Sequence, residues 1–248
     1  MDRAVMAERT RVGVRTIGEL LITLGMLLFL FCAYQLFYTN VVADQKMHSE
    51  LDDLHHLWAT QSGPTPRAVP DKPQPIQPFS TADAVGREGA AFAIIHIPRL
   101  GSNDATPVIE GTSLDVLGRG VGHYHGSAQP GQVGNFAVAG HRKTHGEPFR
   151  HLDEMRAGDA IVVETADTWY TYREDRDPFI VEPTDLGVVA PVPDKPWTKP
   201  TAKLITLTTC NPWWASTQRM IVVGHLVGQQ PRSAGEPPAL RVDNGKFQ

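Results

Sequence analysis

Cys210 is the residue whose type and position best suit covalent chemistry. It ends the apolar run 203–209 and is followed at once by Asn211 and Pro212. Because proline cannot continue a hydrogen-bonded ladder, this pattern predicts a strand that stops at Cys210, where the thiol meets solvent and substrate. The second cysteine, Cys32, lies in a long apolar segment and is typical of a small apolar side chain. Cys210 is therefore the candidate nucleophile, and an inert buried thiol is the alternative.

Arg219 is the first candidate partner of this thiol. It opens the next strand-like run, Arg219–Val227, nine positions after Cys210. If the two strands are antiparallel neighbours, the short loop between them brings Cys210 and Arg219 close together. A guanidinium near sulfur favours the thiolate and can hold a substrate carbonyl or an oxyanion. The alternative is a solvated charge at the start of a strand.

His141 is the second candidate partner, because a cysteine nucleophile needs an acid that reprotonates the leaving amine. It follows the run Asn135–Gly140, and the glycine permits a sharp turn beside it. The sequence contains ten histidines. Those that fall in the segment after the N-terminal apolar run or inside predicted strands are set aside: His48, His55, His56, His96 and His225.

A metal site is the alternative use of the remaining histidines, which are His123, His125, His145 and His151. A His-x-His pair on a strand faces one way, and residues 141 and 145 would share one face of a helix. However, no pair follows a recognised zinc spacing, and Gly146 and Pro148 disfavour a helix there. We therefore expect no metal and no cofactor.

The elements that must position these side chains begin with the apolar segment Ile17–Tyr38. As a helix its 22 positions span about 33 Å, which is enough to cross a bilayer. Arginines precede it and acids follow it, which predicts a cytoplasmic N-terminus and export of the rest. The alternative is a signal peptide cleaved after Val41-Val42-Ala43, although its apolar region is longer than such peptides have.

Residues 39–90 are expected to form an extracytoplasmic linker, with a frayed helix before a proline-rich stretch at 63–78. Six prolines favour an extended conformation there, and at ~3.1 Å per residue the stretch reaches about 50 Å, as a spacer or stalk would. The sequence thus divides into a cytoplasmic N-terminus (1–16), an anchor (17–38), this linker, a folded domain (91–228) and a disordered tail (229–248).

The folded domain is predicted to be all-β, with an eight-stranded closed barrel or a sandwich as its architecture. Its apolar runs are short and rich in Val, Ile, Thr and aromatic residues. They are Phe92–Ile97, Pro107–Glu110, Asn135–Gly140, Ala160–Thr165, Trp169–Arg173, Phe179–Glu182, Lys203–Thr209 and Arg219–Val227. Short helices are expected at Leu114–Leu117 and Pro148–Met155. A net charge of −4 leaves no basic surface for nucleic acid.

At its candidate residues the sequence resembles a sortase. Thr206-Leu207-Thr208-Thr209-Cys210 matches the family's T-L-x-T-C signature, and Arg219 lies in the next strand as the family requires. The stretch GHYHGSAQPGQVGNFAVAGHR, which ends on His141 and Arg142, is similar to class E sortases of actinobacteria. The resemblance covers about residues 91–228, and Trp213-Trp214 after Asn211-Pro212 departs from it, which affects the expected sorting motif.

The resemblance implies a sortase-type β-barrel and a two-step transpeptidation. Cys210 would attack the Thr–Gly bond of an LPxTG- or LAxTG-like signal on a secreted protein, and Arg219 would stabilise the oxyanion. His141 would protonate the glycine amine, after which an amine of a peptidoglycan precursor or a pilin lysine resolves the thioester. Thr209 and Tyr124 are further substrate-binding candidates. A non-catalytic peptide-binding barrel and a cysteine endopeptidase that uses water are the alternatives.

Overall fold

The structure is a computed structural model that describes residues 2–34, 38–61, 88–101, 105–195 and 197–241. The helices in these ranges are α1 (Asp2–Ala33), α2 (Thr39–Gln61) and α3 (Leu114–Leu117). The strands are β1 (Ala91–His96), β2 (Ala105–Glu110), β3 (Val121–His123), β4 (Gly134–Ala139), β5 (Ala160–Glu164), β6 (Thr168–Glu174), β7 (Phe179–Val181), β8 (Lys203–Asn211) and β9 (Gln218–Pro231).

Eight of the strands close into a barrel in the order β6-β5-β1-β2-β3-β4-β8-β9, because β6 also pairs with β9. The short strand β7 pairs with the first part of β9, outside this ring. Two pairings are parallel, β2 with β3 and β4 with β8, and the others are antiparallel. The interior is filled by buried side chains, among them Ile95, Phe136, Ile161, Tyr172 and Leu207. The predicted eight-stranded all-β barrel is confirmed.

The strand that the sequence pattern missed is β3. It has only three residues, and its middle residue, Gly122, breaks any apolar pattern. Glycine is required there, since a Cβ would lie 2.3 Å from the carbonyl oxygen of Gly111. All eight predicted runs form strands. However, β7 was predicted but lies outside the closed ring, whereas β3 was not predicted but is one of the eight strands of the ring. The helix expected at Pro148–Met155 is a 3₁₀ turn at Leu152–Glu154.

Helix α1 contains the stretch Arg11–Ala33, which is long and apolar enough to cross a membrane and is near the N-terminus. Its apolar side chains are exposed, as lipid-facing side chains would be. The predicted anchor Ile17–Tyr38 overlaps this stretch, and its residues 35–37 lie outside the described part of the chain.

Helix α2 packs along the barrel, in contrast to the expected frayed linker. Leu54 and Trp58 are buried against Ile94 of β1. Nearer its start, Glu50 pairs with Arg119 at 2.5 Å. The proline-rich stretch 63–78 lies outside the described residues, but Ala91, which follows it, packs on the same cluster as Trp58. The segment between α2 and β1 thus starts and ends on the barrel, so it does not separate the barrel from α1.

The chain after β9 also packs on the barrel, where a disordered tail from residue 229 was expected. Arg232 donates to Glu164 at 2.7 Å, and its guanidinium lies 4.8 Å from the ring centroid of Trp58. The structure describes the chain as far as Arg241, and residues 242–248 lie outside the described part.

Candidate active site

Cys210 and Arg219 lie directly opposite each other in the antiparallel pairing of β8 with β9. Residues paired in this way have side chains on the same face of the sheet, with Cα atoms roughly 4.5–5.5 Å apart. The six-residue loop 212–217 joins the two strands immediately beyond this point. Cys210 is half-buried and is a free thiol. The ladder therefore brings Cys210 and Arg219 to one strand end, on one face of the sheet.

His141 reaches the same edge through the parallel pairing of β4 with β8. Each β8 residue in this ladder lies 69 positions after its β4 partner, from Gly134 opposite Lys203 to Ala139 opposite Thr208. Cys210 also follows His141 by 69 positions. If the register is continued past the last pair, His141 falls beside Cys210. The central strand β8 thus has the histidine on one side and the arginine on the other.

Two side-chain contacts hold this register beyond the regular ladder. The hydroxyl of Thr209 donates to the carbonyl of Gly140 at 2.8 Å. The guanidinium of Arg142 donates to the side-chain carbonyl of Asn211 at 2.5 Å and pairs with Asp153 at 3.2 Å. These contacts join the residues on either side of His141 to those on either side of Cys210. Thr209, expected to bind substrate, therefore uses its buried hydroxyl to position the strand ends.

The guanidinium of Arg219 is oriented by the loop that precedes it. Its Nη1 donates to the carbonyl oxygens of Ser216 at 3.0 Å and Gln218 at 2.8 Å. One nitrogen thus uses two backbone acceptors, and the rest of the fork has further N–H donors. The side chain is half-buried on the face that carries Cys210. This arrangement suits a group that holds an oxyanion next to the sulfur.

The imidazole of His141 stacks on that of His145, with ring centroids 4.8 Å apart and planes 24° apart. Burial lowers the pKa of His141 below its ordinary value, and the positive charge of a protonated His145 lowers it further. Both causes disfavour the imidazolium. The ring of His141 makes no side-chain hydrogen bond with another described residue, so its nitrogens are available for proton transfer.

The floor of the site is the row of side chains that shares a face with Cys210. Side chains alternate along a strand, so this row on β8 includes Thr206 and Thr208. The hydroxyl of Tyr124 lies 3.0 Å from that of Thr208. Tyr124 therefore lies over the row two residues before the thiol, which is consistent with its expected place beside a bound substrate.

The row of β8 side chains forms the floor of a groove, and the 3₁₀ turn at Leu186–Val189 forms one wall of that groove. The side-chain amide of Asn135 donates to the carbonyls of Val188 at 3.2 Å and Ala190 at 3.0 Å, and Thr206 donates to Asn135 at 2.9 Å. Behind this wall lies a cavity of about 300 Å³. Its apolar lining includes Phe179, Val188, Val192, Leu204 and Val223.

The four histidines considered as metal ligands do not converge. His123 and His125 lie against the two carboxylate oxygens of Glu110, at 2.7 and 2.9 Å, while His145 stacks on His141 and His151 pairs with Glu154. Within the described ranges, no three His, Cys, Asp or Glu side chains are grouped as a metal ion would need.

Three contributors to the site were not identified from the sequence. Arg142 was part of the quoted motif, but nothing local indicated that it would reach Asn211. His145 was considered only as a metal ligand, although its spacing from His141 already indicated proximity. Lys143 lies 4.2 Å from the ring centroid of Trp213, which joins the loop after β4 to the loop after β8. The contacts of Arg142 and Lys143 join segments that are distant in the sequence, whereas the contact of His145 with His141 is local.

Comparisons with known proteins agree with this geometry. Residues 95–227 match the family model described as a sortase domain. The chain is 40% identical over 236 residues to Sortase SrtE1 of Streptomyces coelicolor. The matched region covers 92% of this chain and 61% of the length of that relative.

Among solved structures, sortase E from Streptomyces avermitilis superposes with a TM-score of 0.57 at 47% identity, covering 62% of this chain and 99% of that one. Sortase E1 from Streptomyces coelicolor, solved with a tripeptide in the active site, gives a TM-score of 0.55 at 42% identity, covering 60% and 96%.

Proposed function

This chain belongs to the sortase family, a family of cysteine transpeptidases, and from that premise we propose that it transfers the acyl part of a sorting signal to an amine by way of a thioester on Cys210. The observation that carries the proposal is the strand register. It sets Cys210 on the central strand between His141 and Arg219, each at the end of a neighbouring strand. No other described thiol lies outside the apolar helix α1.

The proposed reaction has two steps. The thiolate of Cys210 adds to the carbonyl carbon between threonine and glycine, and Arg219 stabilises the oxyanion. As the intermediate collapses, the C–N bond breaks and His141 gives its proton to the departing glycine amine. An incoming amine then loses a proton to His141 and attacks the thioester, which releases Cys210. Burial and the charge of His145 lower the pKa of His141 and so disfavour the imidazolium form that donates the proton to the glycine amine.

The proposed donor substrate is a secreted protein with a C-terminal LPxTG- or LAxTG-like signal. With its threonine at Cys210, the leucine lies three residues away, or about 10 Å along an extended chain. The near edge of the apolar cavity, at Val223, is about 13 Å along β9 from Arg219. These similar distances support the proposal that the cavity holds the leucine side chain and that Tyr124 flanks the chain between the two. The proposed acceptor is the amine of a peptidoglycan precursor or of a pilin lysine.

The proposed location is the cell membrane, with α1 as an uncleaved single-pass anchor. The arginines before the apolar stretch favour a cytoplasmic N-terminus and an external barrel. We expect the protein to remain in the membrane fraction with its N-terminus near Met1. A soluble form that begins at Asp44 would show that the Val41-Val42-Ala43 site is cleaved.

The function is tested by intact-mass spectrometry of the full chain incubated with LAxTG and LPxTG peptides, with and without an added amine. We expect an acyl adduct that is lost on adding the amine, together with a peptide–amine product. Cys210→Ala should give neither species, and the matched variant Cys32→Ala should give both. Cleavage by Cys210→Ala would exclude the cysteine mechanism. A hydrolysed product alone, even with excess amine, would make the protein an endopeptidase.

A further inference from the structure

Two tryptophans are exposed next to the thiol, in the loop between β8 and β9. Trp213 and Trp214 form an edge-to-face pair with ring centroids 5.4 Å apart. Their exposed fractions are 48% and 69%. Adjacent exposed indoles form an apolar surface patch of the kind that marks an interaction site. Since both rings follow Cys210 by three and four residues, any partner of this patch lies at the mouth of the active site.

The position of this patch relative to the membrane follows from the chain between α1 and α2. The candidate span ends at Ala33, and Asn40 is already in contact with the barrel. Seven residues reach at most about 25 Å. The rings of Tyr34 and Tyr38, at either side of the middle of this stretch, stack with centroids 4.9 Å apart. Both tyrosines are exposed, as aromatic side chains at a membrane–water interface are.

Asn40 holds the loop that follows His141. Its side-chain amide donates to Glu147 at 2.9 Å, and its side-chain oxygen accepts from the backbone N–H of Gly146 at 3.3 Å. The same loop carries Lys143, whose ammonium lies over the ring of Trp213. A short series of contacts therefore links Asn40, near the start of α2, to the tryptophan pair.

The contacts at the C-terminal end of α2 show how the barrel is oriented relative to this helix. Trp58 lies against Arg232, which directly follows the last residue of β9, whereas Arg219 of the active site is near the first. Helix α2, about 34 Å long, thus runs along the barrel from the active-site end to the opposite end. Because α2 starts within about 25 Å of the end of the candidate span, the active-site end of the barrel is the end nearer to that span.

We propose that the loop carrying Trp213 and Trp214 inserts into the interface of the bilayer that holds α1. Tryptophan prefers this interface because its ring is apolar and its N–H can reach water. Lys143 beside Trp213 keeps its charge in the headgroup region while its stem stays in apolar surroundings. The loop is a second membrane contact that sets the groove against the membrane surface and presents Cys210 to membrane-tethered substrates. The proposal rests on the proposed anchor.

The test uses the full chain reconstituted in phosphatidylcholine–phosphatidylglycerol vesicles with brominated acyl chains, which quench tryptophan fluorescence on contact. Trp58 and Trp169 are buried, and Trp197, 97% exposed, precedes the far end of β8 and serves as the control. Trp213→Phe combined with Trp214→Phe should reduce the fractional quenching at least twofold, whereas Trp197→Phe should not reduce it.

Equal quenching in the double variant and the wild type would overturn the proposal while leaving the anchor in place, provided the chain still floats with the vesicles. Failure to float would overturn both. In a second measurement, Trp213→Gln with Trp214→Gln should lower cleavage of a vesicle-bound lipopeptide at least fivefold relative to the same peptide in detergent. An unchanged ratio, with a raised KM for the free acceptor amine, would assign the loop to the acceptor instead of the bilayer.

Discussion

His123 lies on β3, and His141 follows the neighbouring strand β4 by two residues. The rings of these two histidines differ in their burial and in their hydrogen bonds. His123 is 1% exposed, with Glu110 2.7 Å from Nδ1, Ser127 2.7 Å from Nε2, and aromatic rings on either side. His141 is half-buried, stacks on His145 and has a lowered pKa. The hydrogen bonds of His123 hold one arrangement, whereas His141 is left able to gain and lose a proton.

The comparison teaches that the access of substrate to an imidazole decides its function at least as much as the geometry of its hydrogen bonds does. Ser127, His123 and Glu110 are arranged in the order of a serine-hydrolase triad, with two contacts of 2.7 Å. However, the Ser127 hydroxyl also accepts from the backbone N–H of Ala137 at 3.3 Å, and the histidine is closed to substrate. We therefore assign this group to the fold and keep His141 as the proposed catalytic acid and base.

The sharpest way to break the comparison is to make the same substitution at both histidines. His141→Gln should lower kcat/KM by about 10²–10⁴-fold, because general acid catalysis is lost. His123→Gln should change it by less than about threefold per folded molecule, since glutamine can still donate to Glu110. Peptide cleavage, normalised to folded protein by circular dichroism, measures both. Similar losses at the two positions would show that the buried group takes part in the reaction.

The free energy of unfolding should show the reverse order, with the larger loss at His123 and the smaller loss at His141. His123→Leu leaves one oxygen of the buried Glu110 carboxylate without its partner, which costs on the order of 3 kcal/mol. His141→Leu removes no described side-chain hydrogen bond and should cost less than about 1 kcal/mol. Urea unfolding of both variants in the same detergent checks this. A loss at His141 as large as that at His123 would place His141 in the structural group.

Arg219→Lys sharpens the assignment of the oxyanion-binding group. Lysine keeps the charge but cannot donate to two loop carbonyls and still present a planar fork to substrate. We expect at least a tenfold loss in kcat, and a smaller change in KM. Arg173→Lys on β6 is the matched control, because its exposed guanidinium donates to the Gly158 carbonyl and to no other described residue. Nearly full activity of Arg219→Lys would make this arginine a surface charge.

The smallest expected effect is a shift in the pH dependence of the reaction rate. Protonated His145 lowers the pKa of His141, so His145→Gln should raise that pKa. A lowered pKa means that the imidazolium is lost at a lower pH as the solution becomes more basic. In the variant, the limb of the pH–rate profile that reports this loss should therefore move to higher pH. NMR titration of the His141 ring measures it, with His151→Gln as control. If this limb of the pH–rate profile did not move, His145 would stack on His141 without lowering its pKa.

How far the sequence predicted this molecule can be judged from single residues. Asn211-Pro212 after an apolar run predicted that β8 ends near Cys210, and the next run predicted that Arg219 opens β9. Eight of the nine strands were found in this way, because side-chain type and proline act on the local backbone. Strand β3 could not be found, since a parallel partner and a close backbone approach at Gly122 make it a strand.

The sequence by itself determined which residue types stand at the strand ends, and thereby the class of chemistry that they can perform. The position of His141 just after an apolar run already made it the candidate partner of the thiol, but only the tertiary structure supplied the register of β4 on β8, which relates residues 69 positions apart. The tertiary structure also decided that α2 packs along the barrel, where a frayed helix within a linker had been predicted. Such pairings depend on the closure of the whole barrel and on the burial of Leu54 and Trp58, and no local pattern contains that information.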